Sequence, residues 1–262
     1  IKLLAEIKEK IGCKIVLAGP DINIFNKKIL EQYPAVDFTL IGEYDTTLLE
    51  LCIALKNNET LSSIKGIVYW DAKEIKENEK RPLFSDIDTI PWPDRDDFPI
   101  YKYHDCPGGI PEPSVQMWAS RGCPYQCTFC AWPQIMYNGS NYRTRNVKDV
   151  VDEMEFLVKK KGFKSVYFDD DTFNIGKKRM LEFAKELKSR KWNTPWAFMG
   201  RADLSDRETL EKLRSTGLHA VKYGMESGVQ ELVDHANKKL NIKTAIENIF
   251  ATKELGIKVH LT

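Results

Sequence analysis

The chain has 262 residues, enough for one large domain or two ordinary ones. A hydrophobic content of 42% with 29% charged residues is that of a globular protein, and a net charge of +1 gives no electrostatic footprint for nucleic acid or a membrane surface. No apolar run approaches the ~20 residues needed to span a bilayer, so no transmembrane segment is expected.

The first 70 residues alternate helix and strand. Leu3, Ile7 and Ile11 fall four apart and predict a helix with one apolar stripe. Residues 14–18 form a short apolar run ended by Gly19-Pro20, a strand and its turn. A helical stretch to about Gln32 precedes a second strand at 36–41, closed by Gly42. Asp45 can then cap a helix carrying Leu48, Leu49, Cys52 and Leu55. The order predicts a parallel sheet with crossover helices. Residues 66–70 read as a further strand, pairing with 74–76 across a turn. Three prolines between 91 and 99 forbid regular structure, so 71–112 reads as a linker.

From 113 the alternation resumes, with strands expected at 114–120, 164–170, 195–200, 220–225 and 257–261. Val147, Val150, Val151, Met154, Leu157 and Val158 share one helix face, with Asn146 as cap and Gly162 as terminator. Ser205 and Glu208 form a capping box ahead of Leu210 and Leu213. Helix, glycine, strand recurs three times, the pattern of a curved αβ sheet or barrel with helices outside.

Six cysteines are present, and three are packed into the run Cys123-x3-Cys127-x2-Cys130. Such density points to metal ligation in a reducing compartment, hence the cytoplasm, and not to a disulfide framework. Three soft thiolates in one loop can hold a metal centre and leave one position open. The alternative is a non-catalytic zinc-binding α/β protein, with Cys106 or His104 as fourth ligand.

The run Gly122-Cys123-x3-Cys127-x-Phe129-Cys130, with Arg121 and Pro124, resembles the radical S-adenosylmethionine (SAM) enzymes. The resemblance implies that Cys123, Cys127 and Cys130 bind three irons of a 4Fe-4S cluster, while the fourth iron takes SAM. One electron then yields a 5′-deoxyadenosyl radical that abstracts hydrogen from substrate. It implies further that Phe129 backs the cluster and the adenine, and that Asp170 and Asp171, in Phe168-Asp-Asp-Asp-Thr-Phe173, bind the amino group of SAM. Arg201 would take its carboxylate. Glu226 and Ser227, in Tyr223-Gly-Met-Glu-Ser-Gly228, would bind its ribose or methionine part. For Asp170 and Asp171 helix capping is the alternative, for Arg201 a salt bridge to Asp203 or Asp206, for Phe129 a buried loop aromatic. Lys238-Lys239 after Asn237 is similar to a family segment for which no role is derived.

Cys130-x-Trp-Pro-Gln134, Tyr142-Arg-Thr-Arg145 and Asp169-Asp-Asp-Thr-Phe173 resemble a cobalamin-dependent subgroup, some of it associated with hopanoid biosynthesis. Residues 1–70 resemble the second half of that subgroup's Rossmann-like cobalamin-binding domain. Gly19 would stand in its first ligand-binding turn, Gly42 and Glu43 in its second, although Ala18 and Tyr44 replace two glycines usual there. The fold class implied is α/β: a partial Rossmann-like cobalamin-binding domain (1–70), a linker (71–112) and a partial (β/α)6 radical SAM barrel (113–262), in a chain read as a fragment of a longer protein. The implied cofactors are the 4Fe-4S cluster, SAM and cobalamin. The implied activity is methyl transfer or carbon-skeleton rearrangement on a small, lipid-like substrate. An electron donor such as ferredoxin or flavodoxin would be the partner, and nucleic acid would not.

Overall fold

A computed structural model describes residues 2–262. The chain folds into two compact units: 1–85 with 130–140, and 86–129 with 141–262.

The first unit holds a four-stranded sheet, β1 (Val16–Leu17), β2 (Phe38–Leu40), β3 (Ile67–Asp71) and β4 (Glu74–Glu77), in that spatial order. The β1–β2 pair is parallel and the later pairs are antiparallel. Helices α1 (Lys2–Ile11), α2 (Pro20–Gln32) and α3 (Asp45–Asn57) complete it. Alternation along the strands splits the core in two. Phe38, Leu40, Ile67 and Tyr69 pack with Leu51 and Ala54 of α3, while Val68 packs with Ile15, Leu30 and Ile41 on the other side. Asp37 pins the start of β2. Its carboxylate accepts the Ile15 N–H at 2.8 Å and pairs with Lys8 and Lys14 at 2.8 and 3.2 Å. Asp45 is not the cap of α3. Tyr44 occupies that position without a side-chain hydrogen bond, and Asp45 lies in the first turn, where its charge complements the helix dipole. The expected connector is divided between the units. Its first part is β4, an edge strand of this sheet, because Val68 to Asp71 register with Glu77 to Glu74.

The second unit is built on a five-stranded, all-parallel sheet. It contains β5 (Ser114–Met117), β8 (Ser165–Phe168), β9 (Trp196–Gly200), β10 (Leu218–Tyr223) and β11 (Lys258–Leu261), adjacent in chain order. Helices α4 (Val147–Lys159), α5 (Lys177–Ser189), α6 (Arg207–Arg214), α7 (Gln230–His235) and α8 (Ile242–Glu254) fill the connections. The largest core lies between helices and sheet. Val115, Val166, Phe168, Trp196, Phe198 and Val221 face Val150, Met154, Phe183, Leu187 and Leu210. At its centre Phe168 meets Phe173 at 4.6 Å between ring centroids and Phe183 edge-on at 5.6 Å. Large rings buried in offset and edge-to-face pairs contribute beyond their area.

The expected strand 114–120 is broken. After β5 the chain turns into β6 (Ser120–Cys123), which pairs antiparallel with β7 (Asn141–Thr144) in a separate ribbon. Asn146 caps α4 as the sequence predicts, accepting the Lys148 N–H at 2.9 Å. The capping box at Ser205 does not form. Asp206 caps α6 by accepting from Thr209, and Ser205 is buried against Asn174.

Candidate active site

The cysteine loop leaves the end of β6 and is gripped at both ends within the second unit. At its start, three consecutive residues after β8 hold the strand that leads into it. Asp170 accepts the Ala119 N–H with both oxygens at 3.1 Å and the Ser120 hydroxyl. Asp171 accepts the Gly122 N–H at 2.8 Å. The Thr172 hydroxyl lies 3.4 Å from Cys123 Sγ. Gly122 has φ +85°, and any Cβ there would strike the backbone of Asn141 across the ribbon, so the position requires glycine. Arg179 ties the same strand from α5, donating to the Ala119 and Arg145 carbonyls at 3.0 and 2.9 Å.

Asp170 is enclosed, and burial pushes its pKa up to about 7, with the Ser120 and Ala119 donors and Arg179 opposing. Its oxygens are committed to protein donors. The carboxylate, expected to face the amino group of SAM, points inward here and orders the loop.

The far end of the loop is held by the turn after α7. The Thr128 N–H donates to the Ala236 carbonyl at 2.9 Å, and the Asn237 side chain donates to the Gln126 carbonyl at 2.9 Å. That turn is itself fixed by Arg201, which follows β9. The guanidinium donates to the Lys238 and Lys239 carbonyls at 2.8 and 2.9 Å and forks onto Asp203 at 3.0 and 2.9 Å. It also lies 3.8 Å from the ring centroid of Tyr125, inside the cysteine loop. Arg201 is buried, and this set of protein acceptors engages all three of its nitrogens. It therefore braces the turn, and the salt bridge to Asp203, the alternative that the sequence left open, is formed.

Lys238 and Asn174 carry weight that the sequence did not reveal. Lys238 is buried, and its ammonium lies 3.0 Å from Glu226 Oε1 and 5.7 Å from the centroid of the Phe129 ring. Gly224 makes room for that ion pair, since a Cβ there would sit 2.9 Å from Glu226 Oε1 and 3.1 Å from Lys238 Nζ. Burial pushes the Cys127 thiol up, while Lys238 and Arg201 pull it down. Asn174 forms a reciprocal pair with Arg201, donating to its carbonyl at 2.7 Å and accepting its N–H at 2.9 Å. The signals available were an asparagine just past the aspartate run, and a lysine pair after a short helix. Each acts through contacts more than twenty positions away or across a turn, which periodicity does not report.

Glu226 has φ +63°, and its N–H donates to the Thr262 carbonyl at 3.0 Å. The Ser227 hydroxyl accepts the Val229 N–H at 3.1 Å. Both remain accessible at the carboxyl end of β10. Phe129 is 56% exposed, which removes the buried-aromatic alternative.

Cys130 opens the segment 130–140 of the first unit and is half-buried. In that unit Asn23 joins the two strand-end turns. Its side chain donates to the Gly19 carbonyl at 2.9 Å and accepts the Gly42 N–H at 2.7 Å. Gly19 and Gly42 have φ of +116° and +75°, and a Cβ at either would meet nothing within 4 Å. Glu43 turns inward and accepts the Phe84 N–H at 2.9 Å; the expectation that it lines a ligand turn gives way to a role in anchoring the chain after β4.

Among the described residues no group of three or more His, Cys, Asp and Glu side chains is gathered to hold a metal ion. The test of fit is the chemistry of the donor set. Three thiols at this spacing are soft ligands suited to iron–sulfur chemistry; burial holds the free Cys127 thiol up, and Lys238 and Arg201 offset that only in part. The zinc alternative loses its fourth ligand. Cys106 Sγ lies 3.3 Å from the Ser114 hydroxyl, and His104 is paired with Glu112 at 2.8 Å.

Residues 119–262 match the Radical SAM superfamily. The chain is 27% identical over 256 residues to an uncharacterized methyltransferase of Pyrococcus horikoshii, covering 98% of this chain and 54% of the relative. Its fold is similar to that of the cobalamin-dependent SAM radical enzyme OxsB, solved with aqua-cobalamin and SAM bound. There the TM-score is 0.73 at 20% identity, covering 99% of this chain and 38% of that one. It is also similar to the radical SAM methyltransferase TsrM of Kitasatospora setae, solved with cobalamin and a [4Fe-4S] cluster. That match has TM-score 0.75 at 18% identity, covering 99% and 51% of the two chains. The chain thus spans about half the length of the curated relative it matches.

Proposed function

The chain belongs to the radical SAM superfamily, and from that premise we propose that it forms part of a cobalamin-dependent radical enzyme that transfers a methyl group. When bound, a 4Fe-4S cluster supplies the electron that cleaves SAM to methionine and a 5′-deoxyadenosyl radical. Cys123, Cys127 and Cys130 are the cluster's ligands. Asp170, Asp171 and Thr172 position the start of their loop, and Arg201 and Lys238 position its end. Phe129, Glu226 and Ser227, accessible beside the loop or at the end of β10, are the groups left to contact SAM. Gly19 and Gly42, joined through Asn23, would offer the cobalamin two strand-end turns with open space where side chains would stand. Carbon-skeleton rearrangement is the related outcome that the same groups would serve. The substrate is a small molecule, lipid-like by subgroup resemblance, the electron donor a ferredoxin or flavodoxin, and the compartment the cytoplasm; no helix is long and apolar enough to cross a membrane among the described residues.

The observation that carries this reading is the double grip on the cysteine loop within a region that matches the family throughout. The test is anaerobic purification and reconstitution, followed by assay of iron, sulfide, zinc and cobalt. About four irons per chain, with a visible spectrum altered by SAM, are expected. Zinc at about one per chain without iron would refute it. Cobalt retained by the full-length protein, with Gly19 and Gly42 intact, is expected; its absence would remove the cobalamin part alone.

A further inference from the structure

The face of the second unit's sheet turned away from the helices is blocked at one end and open at the other. Tyr167, Ala197 and Ala220 on that face pack with Ile110. Gly108 lies so close that a Cβ there would collide with that of Ala220 and sit 3.1 Å from that of Lys258. The turn at 106–110 therefore plugs the amino-terminal end of the face. Two residues further along each strand, alternation returns Met199, Lys222 and His260 to the same side, and the register sets them in a row: Met199 beside Lys222, and Lys222 beside His260. Met199 and Lys222 are half-buried and His260 is exposed. Among the described residues the side chains of Lys222 and His260 make no hydrogen bond or ion pair.

Charge is divided across this face. On the β5–β8 flank Asp105 accepts from the Gln116 side chain at 2.8 Å, and Asp169 follows Tyr167 on the same side. The β10–β11 flank carries Lys222, Lys258 and His260 with no carboxylate in register among them. Between the flanks the Tyr167 hydroxyl is enclosed, with the Asp169 carboxylate as its neighbour. A half-buried ammonium without a counter-ion, next to an imidazole and an apolar thioether, is arranged to receive an anion attached to an apolar body.

We propose that Lys222, with His260 beside it, binds an anionic oxygen group of the substrate, a carboxylate or a phosphate, and that Met199 carries the apolar part next to it. That the bound molecule is the substrate rests on the radical SAM reading; that the row binds an anion does not. The row stands toward the carboxyl ends of the strands, the end from which Glu226 and Ser227 also project. The substrate is accordingly an amphiphile anchored by its charged end.

The test uses the chain with ring-labelled histidine, His260 being assigned by its loss in His260→Gln. Inorganic phosphate and, separately, acetate are titrated while the His260 ring resonances are followed. Saturable movement with at least one anion is expected, phosphate alone marking a phosphate site and acetate a carboxylate site. Lys222→Gln should weaken that response about tenfold, as the loss of one charge-assisted hydrogen bond does, and Lys222→Arg should retain it. An absent response with both anions, or unchanged affinity in Lys222→Gln, overturns the proposal. Iron content and the SAM-dependent spectrum are read on the same samples. A formed cluster without anion binding sinks this inference alone, whereas anion binding without a cluster sinks the radical reading alone.

Discussion

The cysteine loop and the strand-end turns of the first unit are two ways of preparing a backbone for a ligand. The loop is held by side chains from distant elements: Asp170, Asp171 and Thr172 at one end, Arg201 and Asn237 at the other. The turns at Gly19 and Gly42 are joined by Asn23 and present bare backbone to open space. A centre held by covalent metal–sulfur bonds calls for a loop whose ends are fixed. A large planar cofactor bound by surface contact needs chiefly an absence of side chains.

The contrast can be broken at several points. The largest effect is expected from Cys127→Ala, since two thiolates hold a cluster poorly; visible absorbance after reconstitution should vanish, and normal iron content in that variant would contradict the ligand assignment. Arg201→Met comes next. It removes the donors that fix the 238–239 carbonyls and leaves Asp203 without its buried partner, at a cost of about 3 kcal/mol. A lower midpoint in denaturant and several-fold less iron per chain are expected, and Arg201→Lys should rescue only part of either because a lysine cannot fork.

Asp170 gives a pH signature. Burial raises its folded pKa to about 7 from the ordinary carboxyl value of 3.8, so the folded state holds the proton more tightly than the unfolded one. The group's contribution is present in full below about pH 4 and is lost as pH rises through about 7. Asp170→Asn cannot titrate, so its thermal midpoint should change less between pH 5 and pH 8 than that of the parent. Equal slopes would show that Asp170 is ionised throughout. The smallest effect is expected in the open turn. Gly19→Ala meets no atom but must adopt φ +116° and ψ −179°, costing about 1–3 kcal/mol. A midpoint shift several times larger would mean that the turn is packed and not open.

Much of the scaffold was legible because it rests on local rules. Three strands of the second sheet, β8, β10 and β11, follow a glycine that ends a helix, and α4 begins at Asn146, whose side chain reaches only two residues. The cysteine spacing was legible for the same reason. The failures are non-local. Nothing near Arg201 in sequence says that its guanidinium will meet carbonyls at 238 and 239, and nothing near Asp170 says that it will turn inward to Ala119. Ser205 satisfies the capping-box pattern, yet burial against Asn174 recruits it and leaves the cap to Asp206. Asp-Asp-Asp-Thr reads as a charged ligand segment; only the fold reveals that Asp170, Asp171 and Thr172 grip different points of β6 or its approach.

The most direct measurement is electron–nuclear double resonance on the reduced, reconstituted chain with SAM labelled in its amino nitrogen and carboxylate oxygens. Three cysteine anchors and one vacant iron predict hyperfine coupling from both labels, absent when unlabelled SAM is used. A fully formed cluster that shows no coupling to either label would contradict the account.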